Sequence, residues 1–402
     1  MSIDMKLVDD CVHCGFCLPT CPTYGPLWQQ EMDSPRGRIW LMKGLAEGTL
    51  ELTDTVVEHF DRCLGCMACV TSCPSGVQYD RLIEQTRELI EERHDREPDD
   101  WLVRSLVFET LPHPGRLRAS LALAPLGRRL PLPRALKPFP ALAPPWRSGE
   151  SPPRITPAAG ESRGRVGLLL GCVQRVIFGD VNTATARVLA AEGYDVIAPG
   201  DQECCGALHL HAGRREEGHA RAHRLAERLR DAGAEQIVVN AAGCGSHLKD
   251  AGLDVPVVDV SELLAGAAPR AERYELAVTV AFQDSCHLLH AQRVQSQPRE
   301  VMRTIPGLEL AEPAEPAICC GSAGIYNLVQ PEAAAELGER KARHVAATGA
   351  DVYASANPGC LVQVSAALRR SGQGRPALHP VELLDASIRG VSAADLLRSA
   401  RR

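Results

Sequence analysis

Aromatic residues and an excess of basic charge are both missing from this 402-residue chain. Phe, Trp and Tyr together make up 4% of the residues, so a folded core must rest mainly on Leu, Val and Ala. The formal net charge of −6 argues against nucleic acid as the main partner. The shares of hydrophobic (45%) and charged (23%) residues are typical of a globular protein, and the length allows two or three domains.

Long apolar segments are also missing. No apolar run reaches the roughly 18 residues that a membrane-spanning helix requires. Residues 1–6 show no apolar stretch of the kind found in secretory leaders. We therefore expect reduced cysteines, a cytoplasmic location and, at most, a peripheral contact with the inner face of the cell membrane.

Cysteine, in contrast, is abundant, with 16 copies. Eight of them form two copies of one pattern, CxxCxxCxxxCP: Cys11, Cys14, Cys17 and Cys21, then Cys63, Cys66, Cys69 and Cys73. This is the ligand spacing of paired [4Fe–4S] clusters, in which the fourth cysteine normally binds the other cluster. The predicted ligand sets are therefore crossed, so that Cys73 joins the first three cysteines and Cys21 joins the second three.

Other uses of these eight cysteines fit the pattern less well. Disulfides are typical of small secreted proteins, which this chain does not resemble in length. A structural zinc site takes two CxxC pairs, whereas each pattern here has two short gaps and one longer gap. Isolated core cysteines would not repeat with identical spacing. The duplicated spacing therefore favours two [4Fe–4S] clusters, and hence electron transfer.

The sequence offers no source of electrons for such clusters. No glycine-rich dinucleotide motif follows the predicted strand at 166–170, and neither a P-loop nor a flavin-binding signature is present. We identify no catalytic residue. A flavin on a partner protein is therefore expected to supply the electrons.

The chain divides into four predicted segments. Residues 1–100 hold both cluster patterns, joined by helical sequence that includes a capped helix start at Ser34 and Pro35. Residues 101–162 form a linker rich in Leu, Pro and Arg. Residues 163–270 and 271–402 form two copies of one repeat.

The linker allows two interpretations. It has no acidic residue between Glu109 and Glu150. Its basic residues are Arg116, Arg118, Arg128, Arg129, Arg134, Lys137 and Arg147. They could form a basic amphipathic face for anionic lipid or an acidic partner. Alternatively, the prolines divide the segment into short helices that pack on the two flanking domains.

The duplication is visible in the other eight cysteines, which are displaced by 114 to 116 residues between copies. They are Cys172, Cys204, Cys205 and Cys244 in the first repeat and Cys286, Cys319, Cys320 and Cys360 in the second. Apolar runs alternate with helical patterns in both repeats, which predicts parallel sheets with helices on both faces. The predicted fold class is thus α+β multidomain: a helical ferredoxin-like domain followed by two α/β domains.

Each cysteine motif of the repeats falls where a strand is predicted to end, which is where such sheets bind ligands. These cysteines either hold a third metal site or are packing residues in a duplicated scaffold. The glycine after each adjacent cysteine pair is expected to let the backbone approach a bulky group. Four histidines beside these motifs are candidates for proton handling, and Asp284 could form a relay with one of them, His287. They are His209, His211, His287 and His290.

These motifs resemble the cysteine-rich CCG domain found in subunits of heterodisulfide reductase, glycerol-3-phosphate dehydrogenase and glycolate oxidase. The family pattern ends in a CxxC pair, but here His247 and Gln363 stand at its last position. That departure argues against the noncubane clusters of heterodisulfide reductase, while four cysteines per repeat remain.

The whole chain is similar to the iron-sulfur subunit of glycolate oxidase (glycolate dehydrogenase). The residues that carry the likeness are CVHCGFCLPTCPTY at 11–24, SPRGR at 34–38, CLGCMAC at 63–69, CPSGV at 73–77 and the two CCG repeats.

The resemblance implies an electron-transfer subunit of an oxidoreductase, with FAD on partner subunits that oxidise glycolate, or D-lactate. Electrons would pass through two [4Fe–4S] clusters, with an additional cluster in the CCG domains, to a quinone or another acceptor. Alternatives are the corresponding subunit of anaerobic glycerol-3-phosphate dehydrogenase, a heterodisulfide reductase-like catalytic subunit and a non-catalytic scaffold.

Overall fold

A computed structural model describes residues 3–144 and 149–400. Arg147 of the basic series therefore lies outside the described residues. The amino-terminal part is helical, with α1 (Met5–Asp9), α2 (Pro35–Glu47), α3 (Asp54–Asp61), α4 (Ala68–Thr71) and α5 (Tyr79–Arg93). A π-helical turn (Thr23–Trp28) and a 3₁₀ turn (Glu31–Asp33) precede α2.

Helix α2 begins where the sequence predicted a capped start. The hydroxyl of Ser34 accepts a hydrogen bond from the backbone N–H of Gly37 at 3.0 Å, and Pro35 occupies the first helical position. These features satisfy one free N–H and set the first φ angle. The buried side chains of Phe60, Leu82 and Ile83 belong to the core of this helical domain.

The segment predicted as a linker forms α6 (Pro98–Thr110), α7 (Pro114–Gly127), a 3₁₀ turn (Arg134–Leu136), α8 (Pro138–Leu142) and a short strand, β1 (Ile155–Thr156). Phe108 of α6 packs with Ala212 of the first repeat and Ile325 of the second. Leu117 of α7 packs against Val176. These helices therefore pack on both repeats, whereas the second interpretation expected them between the helical domain and the first repeat.

The first repeat contains β2 (Arg165–Leu168), α9 (Gln174–Ile177), α10 (Gly179–Ala191), β3 (Asp195–Ile197), α11 (Ala207–His211), α12 (Arg215–Asp231), β4 (Gln236–Val239), α13 (Ala242–Asp250), β5 (Val257–Asp259) and α14 (Val260–Ala265). Its sheet has the order β1-β3-β2-β4-β5. Val166 lies opposite Val196 on one side and Gln236 on the other. All pairs are parallel except β1 with β3.

The second repeat contains β6 (Thr279–Phe282), a π-helical turn (His287–Ala291), α15 (Gln297–Arg303), β7 (Glu309–Ala311), α16 (Tyr326–Val329), α17 (Pro331–Ala347), β8 (Val352–Ala354), α18 (Pro358–Arg370), β9 (Ala377–Leu378), α19 (Pro380–Ile388) and α20 (Ala393–Ala400). Its parallel sheet has the order β7-β6-β8-β9. Leu189 of α10 and Leu384 of α19 lie in one apolar core that both repeats share. The predicted parallel sheets are confirmed.

The glycine of each Cys-Cys-Gly turn has a different neighbour from the one expected. Gly206 has a φ of +89°, and a Cβ placed there would lie 2.2 Å from the carbonyl oxygen of Gly218 in α12. At Gly321, with a φ of +85°, the corresponding distance to the carbonyl oxygen of Ala334 in α17 is 2.7 Å. In both repeats a helix backbone therefore approaches the turn glycine closely.

Within the described ranges, every helix is too short or too polar to span a bilayer.

Substituting the turn glycine tests this contact. Gly206→Ala should lower the midpoint of thermal unfolding far more than Gly160→Ala, a matched change. Gly160 also has a positive φ (+82°) but has no atom within 4 Å of the added Cβ. Left-handed backbone alone costs about 1–2 kcal/mol for a non-glycine residue, and overpacking adds about 1–3 kcal/mol. Equal destabilisation by the two variants would show that α12 does not press on this turn.

Candidate functional site

The two amino-terminal cysteine loops share one backbone shape. Positive φ angles occur at the second and fourth residues after the first cysteine of each loop: His13 (53°) and Gly15 (84°), then Gly65 (61°) and Met67 (61°). Left-handed conformations are costly for His and Met, and such strain is typical of functional sites. In the second loop, the backbone N–H of Gly65 donates to the sulfur of Cys63 at 3.4 Å. Both loops are thus shaped around their thiols.

The structure groups the eight thiols in the crossed arrangement that the spacing predicted. The outer pocket is lined by Cys11, Cys14, Cys17 and Cys73. The inner pocket is lined by Cys21, Cys63, Cys66 and Cys69. Cys69 also borders the outer pocket, so the two pockets adjoin. Four thiolates around one pocket form the donor set that a [4Fe–4S] cluster requires. Their role as ligands remains a prediction.

The two pockets differ in exposure. Cys14 of the outer pocket is exposed, and Val12 and Phe16 on the same loop are 67% and 68% exposed. All four cysteines of the inner pocket are buried. Burial raises the pKa of Cys17 to about 11 even in the outer pocket. The outer pocket is therefore the one that a partner protein can reach.

A buried arginine stands beside the inner pocket. Arg38 of α2 is 1% exposed, and its Nε donates to the carbonyl oxygen of His59 at 2.6 Å. Its Nη1 donates to the hydroxyl of Thr23 at 3.0 Å, and its Nη2 lies 3.5 Å from Oδ1 of Asp33. Asp33 is fully buried and also pairs with Arg62 at 3.0 Å. This network fixes a positive charge where the thiols are least accessible to water.

That charge acts on the inner thiols. Burial raises the pKa of Cys63, but the guanidiniums of Arg38 and Arg87 outweigh it, and the net pKa is lowered. Arg87 donates to the carbonyl oxygen of Cys63 at 2.6 Å and to that of His211 at 2.8 Å. Because the thiolate is the form that binds metal, these charges favour metal binding at Cys63, whereas burial raises the pKa values of Cys66 and Cys69. Arg38 appeared in the sequence analysis only as part of SPRGR at 34–38 and was given no role, although it is an arginine within the apolar face of α2.

In each repeat the four thiols lie together at the carboxyl ends of the parallel strands, as predicted. The sulfur–sulfur distance is 3.4 Å between Cys172 and Cys204 and 3.3 Å between Cys320 and Cys360. The second set is entirely buried, whereas Cys172 and Cys244 of the first set are half-buried. Among the described residues, no three Cys, His, Asp or Glu side chains surround one point closely enough to hold a single metal ion.

The thiols of the second repeat adjoin the inner pocket. Cys66 belongs to the same buried cluster as Cys286 and Cys319. Burial, and next the proximity of Cys319, raise the pKa of Cys66. Beside them, the hydroxyl of Thr71 lies 2.8 Å from Nδ1 of His290. The outer pocket, the inner pocket and the thiols of the second repeat therefore follow one another through the protein.

The two positions that depart from the CCG pattern have a structural role. His247 and Gln363 are the sixth residues of α13 and α18, which carry Cys244 and Cys360 as their third residues. Nε2 of His247 lies 3.1 Å from the carbonyl oxygen of Gly218, and Nε2 of Gln363 donates to that of Ala334 at 2.8 Å. These are the same carbonyl groups that lie closest to the turn glycines Gly206 and Gly321. Both side chains thus hold a helix against the Cys-Cys-Gly turn.

The predicted relay between Asp284 and His287 is wrong. The carboxylate of Asp284 forms two hydrogen bonds with Arg299, at 2.7 and 2.8 Å, because α15 brings that guanidinium next to the end of β6. His287 instead stacks edge-on against His211, with 4.8 Å between the ring centroids. His209 lies 3.2 Å from a carboxylate oxygen of Glu217.

Comparison with protein families places this geometry among known proteins. The family model of the 4Fe-4S dicluster domain matches residues 7–77, and that of the cysteine-rich (CCG) domain matches residues 166–249 and 280–365. The chain is 33% identical to the probable glycolate oxidase iron-sulfur subunit of Bacillus subtilis (strain 168), covering 97% of this chain and 93% of that protein. It is 34% identical to the glycolate oxidase iron-sulfur subunit of Escherichia coli (strain K12), covering 94% and 93%.

More distant relatives share the architecture. A dihydromethanophenazine:CoB–CoM heterodisulfide reductase subunit from Methanosarcina mazei is 25% identical, covering 89% of this chain and 88% of that one. A crystal structure of a hypothetical protein from Helicobacter pylori superposes with a TM-score of 0.59 at 11% identity, covering 90% of this chain and 69% of that chain. That likeness shows the fold alone.

Neutralising the buried arginine tests the inner pocket. Arg38→Met should destabilise the protein by about 3–5 kcal/mol, because it removes one partner of a buried ion pair. It should also reduce the iron content by about four atoms per chain, since the inner thiols lose their countercharge. Lys43→Met, on the same helix but at the surface, should cost less than about 1 kcal/mol and leave the iron content unchanged. Full iron loading of Arg38→Met would contradict the role of this charge.

Proposed function

Because this chain belongs to the family of glycolate oxidase iron-sulfur subunits, we propose that it carries electrons away from an FAD-bearing partner subunit that oxidises glycolate to glyoxylate. The oxidation of D-lactate to pyruvate is a second reaction of the same chemical class. The sequence contains no nucleotide- or flavin-binding motif, so the hydroxy acid reacts on the partner. This chain contributes the electron path and no catalytic residue.

The observation that carries this proposal is the grouping of eight thiols around two adjoining pockets. We assign one [4Fe–4S] cluster to Cys11, Cys14, Cys17 and Cys73 and another to Cys21, Cys63, Cys66 and Cys69. Such clusters accept and release single electrons when bound. The exposed loop of the outer pocket would receive electrons from the flavin partner, and the inner pocket lies behind it.

Backbone N–H groups, arginine side chains and burial each act on the proposed clusters in a different way. The strained loops orient backbone N–H groups toward sulfur, and hydrogen bonds to sulfur raise the reduction potential of an iron-sulfur cluster. Arg38 and Arg87 hold positive charge beside the inner thiols, and burial excludes water from them. These features support an inner cluster that is reduced more easily than an equally buried cluster without them.

We further propose that the cysteines of the repeats bind an additional iron-sulfur cluster. The candidate ligands are Cys172, Cys204, Cys205, Cys244, Cys286, Cys319, Cys320 and Cys360. Their convergence in each repeat supports this role. A heterodisulfide reductase-like catalytic role is less well supported, because His247 and Gln363 bind helix carbonyls at the positions where that family carries a further cysteine. The other alternative, the corresponding subunit of anaerobic glycerol-3-phosphate dehydrogenase, would have a different partner protein and a different substrate.

The acceptor is proposed to be a quinone or another electron carrier, reached at the inner face of the cell membrane from the cytoplasm. The side chains that support a peripheral contact lie on and just after α7, where Leu123, Leu126 and Leu130 are 64%, 55% and 51% exposed. Arg128 and Arg129 accompany them. Exposed leucines beside basic residues are typical of surfaces that bind anionic lipid.

The proposed electron path is tested in the complex with its flavin partner. Cys14→Ser should abolish reduction of an artificial quinone by glycolate, while glycolate still bleaches the flavin absorbance in stopped-flow measurements. The same variant should lose the iron of one cluster. Val12→Ser, a change at an exposed residue of the same loop, should leave both properties intact. Normal quinone reduction by Cys14→Ser would overturn the path, and flavin reduction by glycerol 3-phosphate instead of glycolate would overturn the substrate assignment.

A further inference from the structure

A lysine is fully buried beside the thiols of the second repeat. The side chain of Lys341, in α17, is 0% exposed. Its ammonium donates hydrogen bonds to the carbonyl oxygens of Glu315 and Pro316, the latter at 3.0 Å. The carboxylate of Glu315 is instead paired with Arg340 at 2.6 Å. Lys341 therefore carries a buried charge without a carboxylate bound to it, which is unfavourable unless other negative charge is near.

The negative charge available to Lys341 is that of the cysteines as metal-bound thiolates, because the pKa values of the free thiols are raised. Burial lowers the pKa of Lys341, and the groups that oppose this most strongly are Cys320, Cys319 and Cys360 in turn. Each of them acts on the ammonium more strongly than the Glu315 carboxylate does. The packing of α17 agrees, because Lys341 lies on one helix face between Leu337 and Val345. Leu337 belongs to the buried cluster that contains Cys286 and Cys319, and Val345 belongs to the one that contains Cys320 and Cys360.

The first repeat shows that the fold itself does not need this charge. Helices α12 and α17 are equivalent, each 17 residues long, and Leu225 is the eleventh residue of α12 as Lys341 is of α17. Leu225 is 1% exposed and packs in the same apolar cluster as Cys205 and Leu229. An apolar side chain therefore fills this position in an otherwise equivalent scaffold.

The first repeat does have a cation near its thiols, but in a different setting. Arg175 is half-buried, and its guanidinium donates to the carbonyl oxygens of Gly171, Gly200 and Gln202 at 2.7 to 3.0 Å. Solvent screens a charge at such a site more strongly than one in the interior. The two repeats therefore offer their thiol sets different electrostatic environments.

We propose that Lys341 is the buried countercharge of the thiol set Cys286, Cys319, Cys320 and Cys360, and that it raises the reduction potential of the iron-sulfur centre held there. This inference rests on the proposed function. Accepting an electron adds negative charge to the centre, and a fixed cation in a medium of low dielectric constant stabilises that charge. The step transfers one electron from the reduced inner cluster to the oxidised centre, and no bond is made or broken.

The proposed iron-sulfur centre of the second repeat lies next to the inner pocket, so the charge of Lys341 affects electron transfer between them. The second repeat borders the inner pocket through Cys66 and Cys319, so a centre there is next in line after the inner cluster. A raised potential makes transfer in that direction favourable. Lys341 is thus a positioning residue for the outflow of electrons, and the second repeat, not the first, is the site from which they leave the inner pocket.

The test is a redox titration of the anaerobically purified full chain, followed by electron paramagnetic resonance. Lys341→Met should shift the reduction equilibrium of one centre at least tenfold toward the oxidised form, equivalent to about 59 mV for one electron. The signals of the two amino-terminal clusters should keep their potentials. Lys341→Arg, which keeps the charge, should restore most of the shift. Leu225→Met, at the equivalent position of the first repeat, should change nothing.

The outcomes separate this inference from the function on which it rests. A wild-type protein with about eight irons per chain and only two centres would overturn the additional site itself. A third centre whose potential is the same in Lys341→Met would overturn the role of Lys341 alone. If Lys341→Met does not fold, Lys341→Gln is titrated in its place. Failure of both neutral variants to fold with their two amino-terminal clusters would show that the charge serves the fold, which also contradicts the inference.

Discussion

Buried thiolates need positive charge or N–H donors close to them, and the architecture of this protein follows from that constraint. The outer pocket is partly open to water and has Arg36 at its edge. The inner pocket is closed and is served by Arg38, whose guanidinium is held by three different segments of the helical domain. Behind it, the second repeat presents Lys341. Exposure thus decreases from the outer pocket inward, while countercharges become more deeply buried.

The duplicated repeats place two similar sets of thiols in different surroundings. Both keep four thiols at the carboxyl ends of parallel strands, and both hold the helix after the Cys-Cys-Gly turn with the residue that replaces the last family cysteine. They differ in what surrounds the thiols. Leu225 in the first repeat corresponds to Lys341 in the second, and only the second set adjoins Cys66 among the described residues. Shared backbone geometry therefore provides the site, and single side chains adapt it.

The sequence predicted those features whose cause is local or chemical. Metal-ligand spacing predicted the crossed thiol groups, alternating patterns predicted the parallel sheets, and Ser34 with Pro35 predicted the start of α2. It did not predict the countercharges, because Arg38 and Lys341 bind backbone carbonyls of distant segments, which leave no pattern in a sequence. The predicted relay between Asp284 and His287 was wrong for a related reason. Closeness along the chain did not show that Arg299 would bind the carboxylate of Asp284.

The proposed electron path depends on adjacent iron-sulfur clusters in the two amino-terminal pockets. Electron paramagnetic resonance of the dithionite-reduced, anaerobically purified protein tests it most directly, combined with analysis of metal and acid-labile sulfide on the same sample. We expect iron and sulfide in equal amounts and a spectrum broadened by magnetic coupling between two reduced [4Fe–4S] clusters. A colourless protein that contains zinc, or iron-sulfur signals without any coupling, would contradict it.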